Sequence, residues 1–146
     1  MKKPWRHRAR EAALQILYQW AVAKVDVATA VDTLFTWQWN GAAPSDELRE
    51  FANRLAVDTV AQLDAIDRLI AETAEHWRPE RLAVIDRLVL RMAIGELLQA
   101  SPGTKTPPAV VIDEALELAR TFSTEDAVKF INGMLDAIRK KIDSQR

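Results

Sequence analysis

The 146 residues, 49% apolar and 28% charged, suffice for one domain, or for two small subdomains sharing a core, and are too hydrophobic for disorder throughout. No segment reaches 18 consecutive apolar residues, and the charged N-terminus runs into an amphipathic stretch rather than the apolar core of a signal peptide, so the expectation is a cytoplasmic chain with no membrane role. The absence of cysteine excludes disulfides, thiolate metal sites and thiol nucleophiles.

The formal net charge is -1, but it is unevenly spread. Lys2, Lys3, Arg6, Arg8 and Arg10 crowd the N-terminal arm, residues 1–10, and Arg139, Lys140, Lys141 and Arg146 crowd the C-terminal end, residues 139–146. Two basic ends flank an acidic middle. That pattern suits a polyanion-binding surface built from the termini, and its bland alternative is a pair of solvated tails.

Helical periodicity recurs along the chain, and no stretch alternates as a strand does. Over residues 6–24, Ala13, Ile16, Leu17, Trp20 and Ala21 form one apolar stripe, with Arg6 and Arg10 on another side. A short helix follows Asp26 and carries Val27, Val31, Leu34 and Phe35, until WQWNGAAPSD breaks the pattern at Gly41 and Pro44. From Asp46 to about His76 the periodicity predicts two helices with a bend near Asp58–Ala61, stopped at Pro79. Leu82, Ile85, Leu88, Val89, Met92 and Leu97 build the next helix, to about Gln99, and SPGTKTPP is a loop. Pro107 and Pro108 open a helix that ends near Phe122. Ser123 reads as the cap of the last helix, answered by Asp126, with Phe130, Ile131, Met134, Leu135, Ile138 and Ile142 as its apolar face. The fold class is all-α, with about seven helices.

Catalytic patterns are missing. His7 and His76 stand outside any HExxH spacing, and there is no GxSxG elbow, Walker loop or GxGxxG. Asp64 and Asp67 share a helix side as a solvated acidic face would. The expectation is a non-enzyme with no cofactor and no metal. The arm suits phosphate better than lipid, because Ile16, Leu17 and Trp20 are committed to the core. Trp5, His7 and Tyr18 add flat groups that could stack on the bases of single-stranded RNA, although core packing is the alternative for Tyr18.

RHRAREAALQILYQW at 6–20, IDRLVLRMAIGEL at 85–97, VVIDEALELAR at 110–120 and FSTEDAVKFINGMLDAI at 122–138 resemble, in order and spacing, the helices of the NusB family of bacterial transcription antitermination proteins. The resemblance covers nearly the whole chain, residues 25–60 excepted. It implies a single domain, 1–146, of two small helical bundles packed across each other. It also implies binding to the boxA element of ribosomal RNA leader transcripts, together with the ribosomal protein that is Nus factor E, in support of an RNA polymerase antitermination complex.

On this resemblance Arg6, Arg8 and Arg10 match basic family positions, with Lys2 and Lys3 extending the arm, and His7 stands where an arginine is common, implying a weaker or pH-dependent contact. Lys129 and Phe130 match a KFVNG-like motif that meets phosphate and base, while Phe130 also falls on the apolar stripe as a core residue would. Tyr18, Glu80 and Asp86 match positions used for the protein partner; for the two acids the alternative is a helix N-terminal bias. Asp126, on the same side as Lys129, would modulate RNA binding by repulsion, and Gly133 reads as permitting a close helix approach. The competing readings are an RNA-binding appendage of a ribosomal RNA methyltransferase, disfavoured by the missing glycine-rich cofactor loop, and a homodimeric helical interaction protein.

Overall fold

A computed structural model describes residues 4–74, 82–99 and 106–145. All regular structure among them is helical: α1 (Pro4–Tyr18), α2 (Val27–Thr33), α3 (Asp46–Ala61), α4 (Leu63–Thr73), α5 (Val84–Gln99), α6 (Pro108–Phe122) and α7 (Glu125–Ser144). Wide π-helical turns, Gln19–Ala23 and Leu34–Gln38, extend α1 and α2. The chain divides into two compact units, Met1–Val60 and Ala61–Arg146.

In the first unit α1 packs against α2 and against the π turn that follows it. Its buried face comprises Ala9, Arg10, Ala12, Ala13, Leu14, Ile16 and Leu17. Trp20 and Ala21, expected on that stripe, are only half-buried, because they fall in the π turn, whose longer hydrogen-bonded repeat shifts the register of the faces. Lys24 ends that turn in the left-handed region, φ 62°. The α2 helix starts on Asp26, whose carboxylate accepts from the Thr29 amide at 2.7 Å; this backbone bond holds the exposed carboxyl below its usual pKa.

The expected break between the third and fourth helices falls at Gln62. Just before it, the buried Thr59 hydroxyl donates to the Leu55 carbonyl at 2.7 Å, a bond of the kind that bends helices.

In the second unit α5 lies against α4, α6 and α7, and α7 also lies against α4 and α6. This central helix is buried nearly all round, from Leu88, Val89 and Leu90 through Met92, Ala93, Ile94 and Gly95 to Leu97. Its Arg91 forks onto Asp67 of α4, Nε to Oδ1 at 3.0 Å and Nη2 to Oδ2 at 2.9 Å, so Asp67 is an inter-helix partner rather than part of a free acidic face. Pro108 starts α6 at the first helical position, where its missing N–H costs nothing.

The cap of α7 is Thr124, not Ser123: the Thr124 hydroxyl accepts from the Ala127 amide at 3.1 Å. Ser123 instead ends α6, its amide bonded to the Ala119 carbonyl and its hydroxyl to Asp86. Asp126 is therefore one residue too early to complete a capping box with Thr124. The apolar face of α7 is Ile131, Met134, Leu135, Ile138 and Ile142; Phe130 lies off it.

Candidate nucleic-acid interface

The first two turns of α1 carry Arg6, His7, Arg8 and Arg10 on a helix whose other side is committed to the core, so successive residues, about 100° apart, face different surroundings. Arg10 shares the i, i+3, i+4, i+7 series with Ala13, Leu14 and Leu17 and is buried, 3% exposed, its guanidinium 5.1 Å from the Phe51 ring centre. The expectation placed it at the RNA; in the structure its guanidinium is held inside the first unit. Arg6 is half-buried and sits over both Trp5 (5.4 Å) and Phe51 (5.9 Å), rings that themselves meet edge to face at 5.8 Å. Trp5 is thus engaged with its own helix and α3. The Arg6 Nε is buried with no hydrogen-bond partner among the described residues.

Arg8 takes a different direction. Its guanidinium lies over Trp39 at 4.4 Å, with Glu11 and the Asn40 carbonyl each at 3.5 Å. His7 also faces Glu11, at 3.9 Å. Arg6 and Arg8 are thus half-buried cations held over aromatic rings, and a guanidinium placed this way can offer its remaining N–H groups to phosphate. Lys2 and Lys3 lie outside the described residues.

In the second unit Lys129 and Phe130 sit one turn into α7. Phe130 is 39% exposed, so part of its ring faces outward from the rim of the stripe, while its neighbour Ile131 is fully buried. A cationic side chain beside an exposed ring is the pairing that a phosphate and an unstacked base require. A Cβ added at Gly133 would meet nothing within 4 Å, so the expected close helix approach is not the reason for this glycine. Asp126 is exposed in the first turn of α7, ahead of Lys129.

The basic C-terminal end is less available than its composition implies. Lys140 pairs with Asp136 at 3.1 Å, Lys141 with Glu72 at 3.5 Å, and Arg139 approaches Asp143 at 4.0 Å. The acids one turn away, and one from α4, answer these charges; Arg146 lies outside the described residues.

Of the expected partner-binding residues, Tyr18 is 42% exposed at the end of α1, as a ring packed with its hydroxyl at the rim or a surface contact would be. Glu80 lies outside the described residues. Asp86 is 9% exposed, and it accepts a hydrogen bond from the Ser123 hydroxyl at 2.5 Å. This acid ties the first turn of α5 to the junction of α6 and α7 instead of presenting charge. Trp37, 80% exposed, and Trp39 were given no role by the sequence, because the segment around them lacks helical periodicity and matches no motif. Among the described residues no group of His and acidic side chains could hold a metal, and no helix is long and apolar enough to cross a membrane.

The profile of the NusB family matches residues 7–140. The transcription antitermination protein NusB of Solibacter usitatus is 42% identical over 137 residues, covering 94% of this chain and 90% of the relative. The solved structure of T. maritima NusB superimposes with a TM-score of 0.81 at 35% identity, over 97% of this chain and 94% of that one. A crystal structure of antitermination factors NusB and NusE in complex with dsRNA shares the fold, with a TM-score of 0.77 at 24% identity over 96% and 99% of the two chains.

Proposed function

Because the chain belongs to the NusB family, with relatives that are transcription antitermination proteins, we propose that it binds the boxA element of nascent ribosomal RNA leader transcripts together with the ribosomal protein Nus factor E. The pair would then support a termination-resistant RNA polymerase complex in the cytoplasm. The observation that carries this reading is the display of Arg6 and Arg8 on one helix, each guanidinium set against an aromatic ring. Single-stranded RNA rewards that combination, since phosphate needs fixed donors and splayed bases need flat faces. Lys129 and the exposed Phe130 supply a further cation and ring on α7. In the solved NusB–NusE complex both a protein and an RNA accompany a chain of this fold, and both partner classes are carried to this chain as part of the proposal.

Tyr18 is the proposed contact for the protein partner, its exposed ring offering apolar area and a hydroxyl. Asp86 contributes indirectly, by fixing the start of α5. The test is titration of a boxA-like single strand with and without the ribosomal partner, using the wild type and the Arg6→Ala, Arg8→Ala and Tyr18→Ala variants. The arginine variants should weaken RNA binding in both conditions, and Tyr18→Ala only where the partner is present. RNA affinity unchanged by both arginine replacements would refute the assignment of the arm. Sedimentation of the free protein tests the homodimer reading.

A further inference from the structure

We infer that Trp39 is a positioning residue for RNA recognition: its ring holds the Arg8 guanidinium in the orientation in which that group meets the RNA. The inference rests on the reading of Arg8 as an RNA contact. At 4.4 Å from the ring centre, the Arg8–Trp39 stack is tighter than the other arginine–aromatic pairs of the first unit, which lie between 5.1 Å and 5.9 Å. The two polar contacts of the Arg8 group, to Glu11 and to the Asn40 carbonyl, are both at 3.5 Å, the outer limit of a hydrogen bond. Both are long, and the Glu11 contact is a partly exposed ion pair, so the ring is the close contact that completes the hold on this group.

Trp39 is itself immobilised. Its Nε1–H donates to the Ala42 carbonyl at 2.9 Å, and its ring packs on Phe35 with centres 5.2 Å apart. The loop between donor and acceptor turns through Gly41 at φ 91°, a conformation that disfavours any side chain. A glycine-permitted turn thus fixes the tryptophan, and the tryptophan fixes the arginine.

The consequence for binding is entropic as well as geometric. A free arginine must be ordered when it meets RNA, and that ordering subtracts from affinity. Here the side chain is held over the ring beforehand, and the guanidinium N–H groups not turned toward Glu11 and Asn40 remain to recognise phosphate.

The experiment measures affinity of the full chain for a boxA-like single-stranded oligonucleotide at one fixed salt concentration, for wild type, Arg8→Ala, Trp39→Leu, Trp39→Phe and the Arg8→Ala/Trp39→Leu double variant. Trp39→Leu should weaken binding about two- to fivefold, the range of an exposed cation–aromatic contribution, and Trp39→Phe should restore most of it. In the Arg8→Ala background Trp39→Leu should cost nothing more. An equal loss in both backgrounds would mean that Trp39 acts as a general support or as an independent contact, and would overturn the inference. Weakening by Arg8→Ala without weakening by Trp39→Leu would overturn it while leaving the proposed function standing. Wild-type affinity in Arg8→Ala would overturn both at this position. A readout on the native protein covers the case in which Trp39→Leu does not fold: the Arg8 Nε–H resonance should be ring-current shifted in the free protein and stay so with RNA bound. Collapse of that shift on binding would show that Arg8 leaves the ring, against the inference.

Discussion

Arg10→Met separates the cations proposed to face RNA from the one buried in the fold. Methionine keeps most of the apolar stem at this buried position and removes the charge and the contact with Phe51 at 5.1 Å. A cation–aromatic contact contributes about 0.5–1 kcal/mol when exposed and about 2 when desolvated; burial of Arg10 places it toward the upper figure. At roughly 2–4 °C per kcal/mol for a chain near this size, melting should fall by about 3–8 °C. RNA binding should respond differently. Each phosphate contact to a single strand contributes about 0.7 to the slope of log K against log salt, so Arg8→Ala should flatten that slope by about 0.7 and Arg10→Met should leave it unchanged. The assays are thermal denaturation by circular dichroism and RNA titration at four or more salt concentrations. A slope reduced by Arg10→Met with the melting temperature intact would refute the assignment of Arg10 to the core and return it to the RNA surface.

Ser123→Ala removes the hydroxyl donor to the buried Asp86 and should cost about 1–3 kcal/mol, measured by urea denaturation, because the carboxylate is left short of a partner; an unchanged midpoint would show that water replaces the hydroxyl without loss. Asp126→Asn should tighten RNA binding, since a charge roughly 6–8 Å from a phosphate at an effective dielectric near 40 repels by about 1 kcal/mol before salt screening. It should also lower stability by about 0.3–1 kcal/mol through the α7 dipole, and an affinity unaltered at low salt would remove RNA from the start of that helix. The folded-state pKa of Asp26 is depressed, so its contribution to stability is present above the unfolded pKa and disappears as pH falls through the folded one. Asp26→Asn should therefore show a smaller loss of stability than wild type between neutral pH and pH 3, and an identical loss in both would assign acid sensitivity elsewhere.

Where proline and capping chemistry punctuate the chain, the elements were legible: Pro108 opens α6, Phe122 closes it, and the bend after α3 falls where the stripe shifts. The error at Ser123 arose because two adjacent hydroxyl residues can both cap, and what decided between them was a tertiary partner, Asp86, 37 positions away in sequence. Arg10 was misplaced through its chemistry; its spacing from Ala13, Leu14 and Leu17 already put it on the core side. Phe130 was the converse case: its apolar character suggested the stripe, but it lies a full residue step around the helix from Ile131 and is exposed. The aromatic supports of the arm were hidden because Trp39 and Phe51 meet arginines more than thirty positions away, and no local pattern encodes that pairing.

The enclosure of α5 by three neighbours determines how the second unit can move and how it can change. With almost every side buried, its central amides have no local route to solvent, so deuterium exchange there should require opening of the whole unit, while the ends of α7 exchange by fraying. The same enclosure narrows the substitutions open to it over evolution: a larger side chain at Leu90 or Ile94 must push a neighbouring helix aside, whereas the open surroundings of Gly133 offer no such resistance. Packing constraint in this unit is therefore concentrated in its interior helix, and on the exposed side of α7 substitution is limited by the proposed contacts of Lys129 and Phe130 rather than by the scaffold beneath it.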